Sequence, residues 1–282
     1  MTERITDTDA CMAMLRDTDR DRYLACLLSP EDKRPALGAL YAFNAEIARI
    51  RDSVRDPLPG EVRMQWWRDL LEGKPHGESL ANPVAAALLS TIDMHKLPRQ
   101  TLIDLIEARI FDLYDDPFAD RNALEGYAGE TASALIQLAS IILSPSDSAA
   151  SAQAAGHAGV AQAMAGMLLL MPLHLRRGQV YIPTDILSAA GLDRETFLEG
   201  KDKARIGAAI EIFCVHAQDH LEKARQEQVP KAVFPAFIPV GLAGGVLARA
   251  RKAGADLFDR DIQPSQLRRQ WQLGKASFTR RF

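Results

Sequence analysis

The chain has 282 residues, of which 47% are hydrophobic and 25% are charged, and its formal net charge is -3. This balance is typical of a globular protein with a sizeable core, and it excludes a disordered or fibrous chain. Because the net charge is small, the protein has no global electrostatic field that would attract nucleic acid. Any basic binding site therefore has to be local.

Nearly every stretch between proline and glycine breakers repeats its apolar residues at steps of three and four. The first long run begins at Pro35 and continues through Val54, and it predicts a single amphipathic helix. The same pattern predicts helices at residues 62–73, 83–97, 98–116, 123–143 and 204–226. A strand-like segment at 179–183 is too short to found a sheet. We therefore predict one all-α domain, a helical bundle that spans residues 1–282.

Cysteine usage and hydropathy bear on the compartment. Cys11, Cys26 and Cys214 are odd in number and form no CxxC pair, which favours reduced thiols and the cytoplasm. Residues 1–15 have no apolar core of a signal peptide, so we expect no such leader. The most hydrophobic window, residues 160–175, falls short of the roughly 20 apolar residues that span a bilayer. It predicts a buried helix.

Four aspartates, Asp112, Asp115, Asp116 and Asp120, at first resemble a metal-binding cluster. The first three are predicted on one helix face, but Pro117 ends that helix. The run also lacks the glycine and the final glutamate of a calcium loop. We therefore expect solvated acids there and no metal ion.

His216 and His220 lie four residues apart on a predicted helix, a spacing that zinc ligands can have. No HExxH glutamate lies between them, and an exposed polar face explains the segment HAQDH equally well. We therefore expect no metal at this pair. GxGxxG, P-loop and GxSxG motifs are absent from the sequence, so nucleotide binding and serine-hydrolase chemistry have no support.

The C-terminal segment, residues 264–282, is basic and aromatic and contains no acid. It could dock on anionic lipid or on a partner, with each basic residue contributing about 1 kcal/mol near a lipid surface. It could equally be a last helix whose cations complement the helix dipole, followed by a frayed tail. The residues that would contact a membrane or partner are Arg268, Arg269, Trp271, Lys275, Arg280 and Arg281.

The segments YLACLLSPEDKRPALGALYAFNAEIARIRDSV and QVYIPTDILSAAGL resemble the squalene/phytoene synthase family. The resemblance covers residues 23–237 and implies an isoprenoid-synthase type of helical bundle around a central cavity. Family enzymes carry one aspartate-rich motif after LYAF and a second just before the element RRGRVYLP. Their aspartates hold magnesium ions, because only clustered cations stabilise the departure of an allylic diphosphate.

Both motifs are degenerate in this chain. In the first motif, the outer aspartate positions fall on Ala48 and Asp52, which we predict on one helix face. Only Asp52 survives. In the second motif, the glutamine, the asparagine and the two outer aspartates of the family fall on Ala163, Gly166, Leu170 and His174.

The loss of the second motif does not depend on the alignment, because no aspartate or glutamate occurs between residues 157 and 182. The family's arginine before the first aspartate position is Leu169, and Pro172 should kink the helix at this place. One carboxylate and one histidine cannot supply two or three octahedral magnesium sites. We therefore expect no catalytic residue, no metal and no other cofactor; magnesium is expected only if the chain is an active synthase.

Several residues remain candidates for the cavity wall or for ligand binding. Arg176 and Arg177 match the family's basic element, although they could equally stabilise a helix C-terminus. The full set of candidates is Tyr41, Asp52, Asp112, Tyr127, Gly166, Leu170, His174, Arg176 and Arg177.

The segments YAFNAEIARIRDSV, RMQWWRD and VPKAVFPAFIPV resemble one branch of this family, which serves in the assembly of respiratory complex I. This resemblance implies a non-catalytic protein with a protein partner in respiratory complex biogenesis, cytoplasmic and peripheral on the inner face of the cytoplasmic membrane. Two alternatives stay open: an active prenyl-diphosphate transferase of isoprenoid biosynthesis, and a protein that binds an isoprenoid or lipid. No nucleic-acid partner is expected.

Overall fold

The computed structural model describes residues 6–74 and 81–282, so the start of the predicted N-terminal segment lies outside it. All regular structure in these two ranges is helical, which confirms the predicted all-α class. The helices of the first part of the chain are α1 (Asp7–Thr18), α2 (Arg20–Leu27), α3 (Arg34–Ala48), α4 (Ile50–Ser53), α5 (Pro57–Leu71), α6 (Pro83–His95) and α7 (Arg99–Ile110).

The second part of the chain begins after a 3-10 turn at Phe111–Leu113. A π-helical turn at Gly129–Ser133 joins α8 to α9. The helices are α8 (Arg121–Ala128), α9 (Ala134–Leu143), α10 (Pro145–Ser148), α11 (Ala152–Leu169), α12 (Met171–Arg176), α13 (Thr184–Ala189), α14 (Arg194–Glu199), α15 (Lys203–Gln226), α16 (Ala243–Ala253) and α17 (Gln266–Thr279).

The long helix predicted from Pro35 to Val54 is interrupted, so that prediction is wrong in one respect. Helix α3 ends at Ala48, and Ile50–Ser53 forms the separate helix α4. At the junction the backbone N–H of Asp52 donates to the carbonyl of Arg49 at 3.0 Å, three residues back. The apolar period continues across this junction, so periodicity alone did not reveal it. Ala48 and Asp52 therefore do not lie on one continuous helix face.

The chain divides by its internal contacts into two compact units, each made of discontinuous segments. The first unit comprises the described residues up to Leu113 together with Ala134–Ala152 and Val229–Ile238. The second comprises Tyr114–Ser133, Gln153–Gln228 and Pro239–Phe282. The single domain and the central cavity stay predictions.

Helix α3 forms the core of the first unit. It packs against α1, α6 and α9, and its side chains Leu37, Leu40 and Phe43 are fully buried. Burying each such side chain contributes about 1.5–3 kcal/mol. This packing fixes the end of α3, and therefore the position of the first-motif residues that follow it.

Helix α15 is the longest element of the second unit and buries a stripe of side chains that includes Ile210, Phe213 and Leu221. Helix α11 lies close to the π-helical turn: a Cβ atom at Gly159 would meet the backbone nitrogen of Ser133 at 2.3 Å. Only glycine allows this approach. The hydroxyl of Ser133 also donates to the carbonyl of Gly156 at 2.8 Å, which fixes the N-terminal half of α11.

The kink predicted at Pro172 is confirmed. Helix α11 ends at Leu169, Leu170 leaves helical geometry, and α12 begins at Met171 with Pro172 in its first turn. Proline lacks the N–H that would continue the ladder of α11, and its fixed φ suits a helix start. In the part of the chain that the structure describes, no helix is long and apolar enough to cross a membrane.

Candidate functional site

The first-motif region lies in the first unit, beside a cleft of about 490 Å³. Asp52 is the one surviving aspartate of the motif and contributes to the cleft wall. Arg63 reaches the same wall, where its guanidinium donates to the Ser53 hydroxyl at 2.5 Å. The charged and aromatic lining residues are Glu46, Arg49, Asp52, Arg63, Trp66 and Trp67. The cleft is therefore polar and carries both signs of charge.

An aromatic wall supports this cleft. The buried ring of Trp67 meets Phe43 edge-on with ring centroids 5.1 Å apart, and Trp66 meets Trp67 edge-on at 5.0 Å. Such edge-to-face pairs contribute about 0.5–1.5 kcal/mol beyond the area they bury. These tryptophans belong to the segment RMQWWRD, whose sequence pattern alone did not indicate a site.

Glu46 is a second carboxylate of the cleft, and sequence reasoning missed it. Burial raises the pKa of Glu46, and a hydrogen bond with Asn82 opposes that rise. Asn82 is fixed as the N-cap of α6, where its side-chain oxygen accepts from the N–H of Val84 at 2.9 Å. Glu46 precedes the motif positions Ala48 and Asp52, and only its closeness to Asp52 in space indicates a shared site.

The candidates Tyr41 and Asp112 lie in the interior of the first unit. Tyr41 is buried, and the Arg22 guanidinium carbon lies 5.9 Å from the centre of its ring. Asp112 is also buried and forms an ion pair with Arg109 at 3.0 Å. The expectation that this aspartate is solvated was wrong, because the 3-10 turn that follows α7 directs it inward.

The other predicted acids do not share a helix face with Asp112. Asp115 and Asp116 follow the 3-10 turn in irregular backbone and are exposed, because the helix ends before them. Asp120 is the N-cap of α8, and its carboxylate accepts from the N–H of Ala123 at 2.8 Å. These positions agree with capping and solvated roles rather than with one cluster.

The second-motif region lies in the second unit and is apolar. Ala163 and Gly166 lie on α11, and Leu170 is 44% exposed at the break after it. The ring of His174 packs against Tyr181 with centroids 4.6 Å apart. Beside it is a pocket of only about 10 Å³, barely the space of one water molecule.

The remaining candidates of the second unit are one packed aromatic residue and two arginines at a helix end. Tyr127 is buried and packs on Phe118 with ring centroids 5.2 Å apart. Arg176 is exposed in the last turn of α12, and Arg177 follows as its C-cap. Cations at this end of a helix are stabilised by its dipole, which agrees with one of the two predicted roles.

These residues do not fit the magnesium sites that the fold family implies. Magnesium takes hard oxygen ligands in octahedral geometry. The second-motif positions offer no side-chain oxygen, and the one polar group, His174, is packed against an aromatic ring. The residues of this region can line a surface or a core, but they cannot hold a metal–diphosphate complex.

A separate polar cluster lies in the second unit, on α8, α11 and α15. Glu125 Oε1 lies 3.0 Å from Nε2 of His216 and 3.3 Å from Nε2 of His220. Nδ1 of His220 lies 3.1 Å from Nδ1 of His157. Burial lowers the pKa of His220, while Glu125 opposes this shift. The expectation of an exposed polar face was therefore wrong for His220, which is buried.

Helix α17 contains most of the predicted C-terminal surface segment. Leu273 and Ala276 are buried within the second unit, while Leu267, Trp271 and Phe278 are 78%, 65% and 91% exposed. At 100° per residue, the three exposed positions fall within about 40° of one another, on the opposite face.

The basic residues of this segment lie beside that face or beyond it. Lys275 Nζ lies 5.2 Å from the centre of the Trp271 ring, and Arg268, Arg280 and Arg281 are exposed. Arg269 is partly buried. The exposed side of α17 therefore combines large apolar side chains with cations.

Comparison with known proteins gives relatives over almost the whole chain. The squalene/phytoene synthase profile matches residues 15–272. The rat and human proteins named "NADH dehydrogenase (ubiquinone) complex I, assembly factor 6" are both 32% identical over 255 residues, which cover 90% of this chain and 76% of each relative.

Among solved structures, a dehydrosqualene synthase in complex with a ligand matches with a TM-score of 0.75. The match has 21% identity and covers 97% of this chain and 96% of that one, and it establishes the isoprenoid-synthase type of helical fold. Sequence and fold agree, and the chain belongs to the squalene/phytoene synthase family.

Proposed function

We propose that this protein is a non-catalytic member of its family that assists the assembly of respiratory complex I at the membrane. Two relatives that share about a third of its residues are named as complex I assembly factors. Fold alone would not support this role, because one scaffold serves many functions. The degenerate motifs supply the second support.

The observation that carries the non-catalytic part is the surroundings of His174. The family's second aspartate motif ends at this position, yet the imidazole packs on Tyr181 beside a pocket of about 10 Å³. A diphosphate with its metal ions carries several charges and needs a solvated, oxygen-rich wall. We therefore propose that no magnesium cofactor acts here.

The experiment is a deletion of the gene in the source organism, followed by complementation. Complex I is followed by native gel electrophoresis and by NADH:quinone oxidoreductase activity of isolated membranes. We expect the deletion to lower the amount of assembled complex, and the wild-type chain and Asp52→Ala to restore it equally. An unaffected complex I would contradict the assembly role, and failure of a folded Asp52→Ala variant would contradict the non-catalytic role.

A peripheral position on the membrane is the second part of the proposal. The outer face of α17 exposes Leu267, Trp271 and Phe278 next to Lys275. Apolar side chains that enter the headgroup region, together with cations, are typical of helices that lie on anionic lipid. The net charge of -3 does not attract the protein to such a surface, so this local face has to do so.

Sedimentation with phosphatidylglycerol-containing vesicles tests this surface. The variant Leu267→Ser/Trp271→Ser/Phe278→Ser should lose binding, and pure phosphatidylcholine vesicles should bind the wild type weakly. The matched control is Leu58→Ser/Val62→Ser/Met94→Ser, which removes exposed apolar side chains elsewhere. Equal binding of the two triple variants would contradict the proposed surface.

One observation favours a second candidate, the binding of an isoprenoid or its diphosphate. The cleft beside Asp52 is roomy and is lined by Arg49, Arg63 and Trp66. Cations beside an aromatic surface could hold an anionic headgroup with an apolar chain. Mass spectrometry of organic extracts from the purified protein tests this: a stoichiometric isoprenoid would support the candidate, and its absence would count against it.

A further inference from the structure

We propose that Glu125, His216 and His220 form a binding site for one zinc ion, and that His157 positions one of the ligands. The four residues belong to the second unit and come from three helices, α8, α11 and α15. None of the four residues belongs to either aspartate motif, and the proposal does not depend on the proposed assembly role.

The distances fit a metal centre. Zinc binds histidine nitrogen and carboxylate oxygen at about 2.0–2.2 Å, and two ligands of a tetrahedral ion at this range are about 3.3 Å apart. Glu125 Oε1 lies 3.0 Å and 3.3 Å from Nε2 of His216 and His220. The Glu125 oxygen is therefore already separated from the Nε2 atom of each imidazole by about the distance between two ligands of one zinc ion. One ligand atom from each of the three residues can be chosen so that all lie within 4.8 Å of one another.

The helices place these groups by simple geometry. His216 and His220 are four residues apart on α15, so their side chains share one face. Their ring centroids are 5.0 Å apart. Glu125 reaches the same point from the middle of α8, 91 residues earlier in the sequence than His216.

The donor set selects the class of metal. Two imidazoles and one carboxylate suit zinc and related transition ions, whereas magnesium and calcium prefer oxygen throughout. Glu125 is the most accessible of the three, with 37% of its side chain exposed. The site can therefore receive an ion from solvent and leave a fourth position for a water molecule.

His157 supplies the partner that a zinc-bound histidine needs. A neutral imidazole that binds metal through Nε2 carries its proton on Nδ1 and donates it to an acceptor. Nδ1 of His220 lies 3.1 Å from Nδ1 of His157. The close packing at Gly159 holds this part of α11 in place, so the orientation of His157 is built into the fold.

One buried atom further favours a metal over a simple hydrogen-bonded cluster. Nε2 of His216 is buried and has no hydrogen bond of acceptable geometry, although Glu125 Oε1 is 3.0 Å away. A buried nitrogen without a partner costs about 1–3 kcal/mol. A zinc ion between the two groups would satisfy both.

The test uses full-length protein without a polyhistidine tag, stripped of metal with a chelator. Zinc is then titrated in competition with a chromogenic chelator, and cobalt binding is followed by the visible absorption of tetrahedral Co²⁺. We expect one ion per chain. His157→Leu should weaken binding by about 10–100-fold, as changes in the partners of metal ligands do. Glu125→Gln and His216→Gln should weaken it by more.

The ligand variants replace the two less buried ligands so that folding is preserved. His216 and Glu125 are more exposed than the buried His220, and circular dichroism checks the helicity of each variant. His95→Gln, in the first unit, is the matched control and should bind zinc like the wild type. The proposal is overturned if the wild type binds no zinc, if Co²⁺ keeps the spectrum of its hydrated ion, or if Glu125→Gln and His216→Gln bind as the wild type does.

Discussion

The two regions that correspond to the family's aspartate motifs have diverged in different ways. The first keeps carboxylates, Glu46 and Asp52, in a cleft of about 490 Å³ that Arg49 and Arg63 also line. The second contains no acid, and its last position, His174, packs on Tyr181 beside a pocket of about 10 Å³. Both regions depart from the family's pattern, but only the second offers no side-chain oxygen at its motif positions.

The two regions therefore bear differently on the proposed non-catalytic role. A polar cleft with one missing aspartate could regain a ligand through a single substitution. The second region would need several acids, and at His174 a carboxylate would also have to displace established packing. The second motif is therefore the stronger support for the proposal that this chain is non-catalytic.

The largest expected effect concerns the aromatic wall of the first region. Trp67→Ala should lower the free energy of unfolding by about 3–5 kcal/mol, because it removes a buried ring packed on Phe43 and leaves a cavity. Trp66→Ala, at a half-buried position, should cost about 1 kcal/mol. Urea denaturation measures both, and equal costs would show that Trp67 does not stabilise this wall more than Trp66 does.

The next effect separates two positions of the second region. His174→Asp should lower the free energy of unfolding by about 1–3 kcal/mol, because it replaces a packed ring by a charge beside apolar side chains. Leu170→Asp should stay within about 0.5 kcal/mol of the wild type, because Leu170 is 44% exposed. Thermal and urea unfolding of the two variants give the comparison. A tolerated aspartate at His174 would show that the packing of this ring on Tyr181 contributes little to stability.

The smallest effect is a pH dependence in the first region. Burial raises the pKa of Glu46 above its ordinary value of 4.5, so ionisation is harder in the folded state than in the unfolded one. The associated stability is complete below pH 4.5 and is lost as pH rises through the folded pKa. Glu46→Gln should therefore gain stability relative to the wild type at pH 7.5 but not at pH 4.5.

Urea denaturation at the two pH values checks this prediction. Glu130→Gln, at an exposed position on the second unit, is the matched control for the loss of one negative charge. A stability difference between Glu46→Gln and the wild type that is the same at both pH values would show that burial of this carboxylate costs nothing.

Much of the fold could be predicted from the sequence because helices are set by local patterns. Apolar steps of three and four predicted the all-α class, and Pro172 predicted the break at Leu170. The interruption after Ala48 was missed, because Ile47 and Ile50 are both buried and the apolar spacing continues across Arg49.

The polar cluster of the second unit could be predicted only in part. The spacing of His216 and His220 is one that zinc ligands can have, but the sequence led us to expect no metal there. Sequence alone could not show that Glu125 and His157 join the pair. His157 lies 63 residues before His220, and only the packing of α11 brings the two together. The inward turn of Asp112 likewise depends on a 3-10 turn that periodicity does not reveal.

The proposed non-catalytic role implies that the chain does not ionise prenyl diphosphates. The most direct measurement incubates the purified protein with farnesyl or geranylgeranyl diphosphate, magnesium and NADPH, and follows pyrophosphate release and extractable hydrocarbon. Asp52→Ala and an active synthase are assayed in parallel. We expect the wild type and Asp52→Ala both to remain at the level of the protein-free blank. Magnesium-dependent product from the wild type that disappears in Asp52→Ala would contradict it.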